Sequence, residues 1–290
     1  MADSRSARGR PVGRADGRPD EPPDRPVAMN NATGKRILAL VREGDYAHPG
    51  EEEANGLLFA GVRIDRGRVL DAGCGGGGTA AWVQGRALGT VTGIELDAAT
   101  VRLARERHPE VTVVHGDLQR AGDVLAGPFD LVYSMTAIYA APDQAAVFRE
   151  LRALAAPGAE LRLLEYADPH GRFADATRGN ARWGWWHPLA PRELPALLAD
   201  AGWTDVSVRD LHPEFVLWYR QLCDRIAAKR HAITLEFGRG WYEFVAREYT
   251  GILTLVRAGD LGGVLVRATA RVMTRDSDPS GTHAEGACRR

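Results

Sequence analysis

Short apolar runs alternate with longer stretches of helical periodicity through the middle of this chain. The runs fall at 68–71, 90–95, 111–115, 129–134, 161–166, 206–211 and 263–268. Each has the length of a strand. Between the first five lie segments such as 98–107, where Val101, Leu103 and Ala104 share a helix face, and 144–154, where Val147, Leu151 and Leu154 do. Strand–helix alternation of this kind predicts an α/β fold, a doubly wound and mainly parallel sheet of seven strands. The sixth and seventh runs are separated by about 50 residues, far more than a hairpin needs. There Phe215, Tyr219, Leu222 and Ile226 fall at helical spacing, and so do Trp241, Val245, Tyr249, Ile252 and Val256. The pattern predicts a helical cap over about 212–260. These stripes read first as packing, and compatibly as a lid with some residues turned to a ligand.

The periodicity stops at both ends. Residues 1–29 hold five Pro, three Gly, six Arg and five acids, with almost nothing to bury. Disordered tails are expected at 1–29 and 275–290, with one domain at 30–274. That domain carries 28 basic and 30 acidic side chains, and the whole 290-residue chain a net charge of -1. Near-neutrality argues against a nucleic-acid or membrane-surface partner. No apolar stretch is long enough for a membrane helix, and no secretory h-region opens the chain. Three cysteines without metal-like spacing favour a reduced, cytoplasmic setting and no metal.

Chemistry concentrates after the first run. Val69-Leu70-Asp71-Ala72-Gly73-Cys74-Gly75-Gly76-Gly77-Gly78 reads as a strand, a glycine-rich turn and a helix start. Glu95 ends the second strand, placed to accept both hydroxyls of a ribose. Gly73, Gly75 and Gly78 satisfy the dinucleotide spacing, but Asp71 would repel a pyrophosphate on the turn. S-adenosylmethionine (SAM) has no phosphate; its ammonium and sulfonium suit an acid there. The basic residues add a second test, since 35 are Arg and only Lys35 and Lys229 are Lys. Asn31 and Arg225 stand four residues before them, so the Tyr-x-x-x-Lys pair of short-chain reductases is absent. No Gly-Lys-Ser/Thr sequence occurs either.

At these motifs the chain resembles the class I SAM-dependent methyltransferases of small-molecule type, over roughly residues 34–270. VLDAGCGGGG resembles the family's first motif and GIELD, at 93–97, its second. HGDLQ, at 115–119, resembles the segment that flanks adenine; FDLVYSM and LRALAAPGAELRLLEY resemble the fourth and fifth strands with their Pro-Gly turn. The resemblance implies a Rossmann-like fold, SAM as cofactor and a small-molecule substrate. It places Asp71, Gly73, Gly75, Glu95, Leu96, Asp117, Leu118 and Ser134 at the cofactor, with Tyr46 on an N-terminal lid.

Substrate and catalytic candidates come from the carboxyl ends of the strands. Tyr139 follows strand four in a loop lacking the Asn/Asp-Pro-Pro-aromatic signature. Glu165 and Tyr166 follow strand five; Glu165 reads as a base or ammonium ligand, or as a strand-end acid bonded to backbone. Trp185 and Trp186 read as an aromatic wall or as core, and His187 as a general base or a structural histidine. Tyr46 and His48 read as a lid touching cofactor or substrate, or as an ordinary helix start before three Glu. The expected activity is methyl transfer to N, O or C of an amine or natural-product-like metabolite. The rivals are a cyclase-like use of the same fold and a non-catalytic binding subunit. A homodimer through the cap helices is compatible with the pattern.

Overall fold

The computed structural model describes residues 28–64 and 67–272. A single 3-10 turn at Ala28–Asn30 leads into α1 (Ala32–Arg42) and α2 (Glu51–Leu58). Then come β1 (Arg68–Ala72), α3 (Gly78–Gly85), β2 (Thr90–Glu95), α4 (Ala98–Arg107), β3 (Thr112–His115), β4 (Phe129–Met135), α5 (Gln144–Leu154) and β5 (Ala155–Ala167). The remainder is α6 (Phe173–Ala176), α7 (Leu194–Asp200), β6 (Trp203–Asp210), α8 (His212–Ala228), α9 (Arg230–Phe237), α10 (Arg239–Ala258) and β7 (Gly262–Ala270).

The strands form one sheet in the order β3-β2-β1-β4-β5-β7-β6. β1 to β5 are parallel, and β7 enters antiparallel between β5 and β6. This is the expected seven-stranded, Rossmann-like sheet with its helical insertion before the last strand. Strand side chains alternate between faces. Val69, Leu131 and Tyr133 pack toward the N-terminal helices and the cap, while Leu70, Val132 and Leu161 pack toward α5 and α7. Side-chain carboxylates stop the helices from fraying at their starts: Asp97 accepts from the Thr100 amide and Asp143 from that of Ala146.

Two details differ from expectation. β5 begins at Ala155, because the Pro157-Gly158 turn is absorbed as a register shift against β4. Met29, placed in the tail from sequence, is buried in the core. The other tail residues, 1–27 and 275–290, lie outside the described residues.

Arg42 ties the N-terminal helices to the cap. It is buried on α1, bonds the carbonyl of His48, and reaches Glu51 at 3.0 Å. Arg225 of α8 meets the same carboxylate at 2.8 Å, and Trp218 of α8 donates to Glu53 at 2.9 Å. Two of the three glutamates that open α2, Glu51 and Glu53, therefore serve as anchor points for the cap, and all three favour a helix N-terminus.

Candidate active site

The chain runs β1-β2-β3 toward one edge and β4-β5 toward the other. The reversal leaves a crevice at the carboxyl ends of β1 and β4. Two close approaches shape it. Gly73 has φ +88°, and a Cβ there would lie 2.2 Å from Cβ of Ala137, in the loop after β4. Gly78 lies under the 45–48 segment, where a Cβ would fall 1.8 Å from the Asp45 carbonyl oxygen. Asp45 is held in turn by Arg107 at 2.8 Å and His108 at 2.9 Å on α4. Thr136 takes φ +52°, a left-handed turn that swings the chain off the end of β4.

The crevice opens into one cavity of about 540 Å³. At its glycine end stand Lys35, Gly73, Glu95, Leu96, Asp117 and Leu118. Glu95 accepts from the Gly75 amide at 3.0 Å and the Asp97 amide at 2.8 Å. The strand end and the glycine turn are thus locked together with the carboxylate at the cavity wall. Leu96 is 67% exposed, an uncovered apolar side chain at the rim. Asp117 accepts from the Gln119 amide and caps the 3-10 turn that carries Leu118.

The other end is aromatic. Tyr139, Tyr166 and Trp186 form a triangle with ring centroids 4.5–4.8 Å apart, and Trp185 lies 5.7 Å from Tyr139. α10 closes this end with Glu248, Tyr249 and Ile252. Glu248 pairs with Arg182 at 2.7 Å, and burial raises its pKa against the pull of that guanidinium. Desolvation likewise raises the Tyr139 phenol, which is hydrogen-bonded to Asn30.

The sequence-derived residues divide by position. Gly73, Glu95, Leu96, Asp117, Leu118, Tyr139, Tyr166, Trp185 and Trp186 line the cavity together. Trp183 is core, Trp185 is partly exposed, and Trp186 is at once buried and cavity-lining. Asp71 and Gly75 are set one layer back. Asp71 accepts from the Tyr133 hydroxyl at 2.7 Å and borders a small adjoining pocket with Gly73 and Met135.

Five further candidates do not line the cavity. Glu165 is fully buried and accepts from Ser134 Oγ at 2.7 Å and from the amides of Ala137 and Ile138 at 3.0 and 3.1 Å. It fixes the loop that carries Tyr139 and does not reach the cavity; Ser134 is consumed in the same network. His187 is exposed, and its backbone, bonded to Tyr139 and Gln144, is what matters locally. His48 is buried against Thr79 at 3.0 Å, and burial pushes it down to about 3, so it is neutral. Tyr46 turns outward to Glu52 at 3.4 Å. From that segment only Ala47 reaches the cavity. Sequence reasoning missed Lys35, Glu248 and the Asn30–Asn31 edge; Tyr249 and Ile252 had been seen only as members of a helical stripe.

Two buried acids make stability depend on pH. Burial pushes Asp71 up to about 7, opposed by the Tyr133 hydroxyl, and does the same to Glu165, opposed by its amide donors. A raised folded-state pKa gives stability that is full below the ordinary carboxylate range and lost as pH rises through about 7. The unliganded protein should therefore lose Tm between about pH 4 and about pH 7, by at most about 1.4 kcal/mol per pH unit for each acid. Asp71→Asn should flatten the slope. An unchanged slope in a thermal-unfolding series would mean that Asp71 is ionised throughout.

A glycine turn, a strand-end carboxylate and an adenine-side acid around one cavity fit SAM, whose cationic groups suit the acids and whose bulk the glycines admit. Residues 69–158 match the family described as "Methyltransferase domain". A trans-aconitate 2-methyltransferase of Azoarcus sp. (strain BH72) is 29% identical over 194 residues, 63% of this chain and 73% of that protein. Among solved structures, phosphoethanolamine N-methyltransferase 2 of Haemonchus contortus in complex with SAM superposes with a TM-score of 0.74 at 20% identity. The match covers 86% of this chain but only 59% of that one. The (4+2) cyclase SpnF gives 0.67 at 20% identity, over 88% of this chain and 98% of the cyclase. Residues 69–158 thus carry a methyltransferase domain, the sheet around it has the class I methyltransferase fold, and SAM is the cofactor that such a domain uses. Within that class the chain is similar to enzymes with small-molecule substrates, and among the described residues no helix is long and apolar enough to cross a membrane.

Proposed function

We propose that the protein methylates an N, O or C atom of a small molecule, with an amine or natural-product-like metabolite as acceptor. The observation that carries this reading is the continuity of the cavity from the glycine end to the aromatic end. A cofactor held at Glu95 and Asp117 directs its reactive centre toward the space between Tyr139, Tyr166, Trp185 and Trp186. SAM supplies a methyl group already activated by the sulfonium. The chain's part is to align the acceptor and exclude water. Neither Glu165 nor His187 reaches the space, Tyr139 is a raised phenol, and the carboxylate at this end, Glu248, is already paired with Arg182. An acceptor that is nucleophilic when neutral, such as an amine, suits those walls best. Aromatic faces also favour the positive charge an amine gains on methylation, and Glu248 adds a carboxylate.

Incubation of the protein with SAM and pooled amines, phenols and carboxylic acids should yield a product heavier by one methyl, read by mass spectrometry. Binding of SAM without methylated product from any pool would favour the cyclase-like or binding-subunit use of the fold. For an identified acceptor, Trp185→Ala should raise KM by about tenfold, the scale of one desolvated cation–aromatic contact. The affinity for S-adenosylhomocysteine (SAH), read by calorimetry, should stay within about twofold. A parallel loss of SAH affinity would place Trp185 at the cofactor instead.

A further inference from the structure

Lys35 is one of two lysines in the chain and stands in the first turn of α1, outside every motif noted above. Its ammonium lies at the glycine turn, with Nζ 3.5 Å from where a Cβ on Gly75 would sit, and it lines the cavity beside Glu95. Lys35 is partly buried, and desolvation lowers its pKa. The charges around it are Glu95, Arg42 and Asp45, with the Cys74 thiol nearby. Both acids are already engaged. Glu95 accepts two backbone amides, and Asp45 is shared by Arg107 and His108. Lys229 pairs with Glu43 at 2.8 Å. Among the described residues Lys35 makes no such pair. The first turn of α1 adds the positive end of a helix dipole on the same side, with its N-cap Asn31 at the cavity edge.

A partly desolvated cation without a counter-ion among the described residues, beside a ligand cavity, favours an anion from the ligand. SAM carries one anionic group, the α-carboxylate of its methionine part. We propose that Lys35 is the counter-ion of that carboxylate, so that α1, and not the sheet, holds the amino-acid end of the cofactor. The proposal rests on the glycine end being the cofactor end. The alternative source of an anion is a carboxylate or phosphate on the acceptor.

Calorimetry on the full chain separates these sources, using SAH and 5′-methylthioadenosine, which keeps the adenosine but lacks the amino acid. Lys35→Met should weaken SAH by about 10- to 100-fold, the scale of one charge-assisted hydrogen bond. It should leave 5′-methylthioadenosine within about twofold, and Lys35→Arg should recover most of the SAH affinity. Unliganded Lys35→Met should unfold at the same temperature as the parent or higher, because a partly buried charge without an ion-pair partner has been removed. Unchanged SAH affinity overturns the proposal, and so does an equal loss for both nucleosides. A rise in acceptor KM with SAH affinity intact would assign Lys35 to the acceptor and also overturn it. Failure of the parent protein to bind either nucleoside would instead remove the cofactor placement on which the proposal stands.

Discussion

Glu95→Ala is expected to lower SAH affinity at least 100-fold. The carboxylate ends β2 at the cavity wall, with one oxygen on the Gly75 amide and the other on that of Asp97. Each oxygen keeps a second acceptor site, and a ribose diol offers two donors at that spacing. Two hydrogen bonds to an ionised acceptor contribute about 1.5–3 kcal/mol each, or two to four powers of ten together. Alanine also releases the two amides and loosens the turn. Glu95→Gln, which keeps an acceptor but loses the charge, should fall between the two. Calorimetry with SAH and 5′-methylthioadenosine reads the result. Both ligands carry the ribose, so both should weaken, in contrast to the selective loss expected for Lys35→Met. Affinity unchanged in Glu95→Ala would displace the ribose from this position. Thermal unfolding supplies the folding control: Glu95 is only partly buried, so water can replace the lost acceptor at the amides.

The contrast between Glu95 and Glu165 shows what the sequence could convey. Glu95 ends β2 and Glu165 lies two residues before the end of β5, and the period-two pattern with βα spacing places both near the carboxyl edge of the sheet. Which way a strand-end carboxylate faces depends on the loop that follows the neighbouring strand. For Glu165 that loop turns back at Thr136 and presents the Ala137 and Ile138 amides, which capture the side chain. No local periodicity encodes that turn. His48 and Tyr46 are the same case at longer range, since Arg42 grips the His48 carbonyl and fixes which side of the segment meets the cavity. Lys35 was visible only as a count. Its docking over the turn depends on how α1 packs, which is decided by contacts with α4, α8 and α9 far along the chain. The sheet order, by contrast, was legible because right-handed crossovers leave few ways to wind strands of these lengths. The aromatic cluster was legible as a cluster, but its division into wall and core was not. Trp183 and Trp185 differ only in which side of one turn they occupy.

Gly73→Ala should abolish measurable SAH binding and destabilise the protein by about 3 kcal/mol or more, from two separable causes. The first is backbone strain: φ of +88° is a conformation that costs an L-residue about 1–2 kcal/mol. The second is collision, because the new Cβ would sit 2.2 Å from Cβ of Ala137. Neither side yields easily. Gly73 donates its amide to Ile94 at 3.0 Å, and Ala137 is pinned by Glu165 at 3.0 Å. Relief by movement would therefore drag the turn off β2 or the Tyr139 loop off Glu165. A second-site change separates the causes. Ala137→Gly removes the opposing methyl, so the double variant should regain the collision part of the lost stability while keeping the backbone strain. The two changes should thus be non-additive by about 1–3 kcal/mol in a double-mutant cycle read by chemical denaturation. Ala137→Gly alone should cost about 1 kcal/mol or less, for loop entropy. Additive effects would show that the two loops do not meet at this point, and the crevice would then lack the closure that brings the cofactor end and the aromatic end into one cavity.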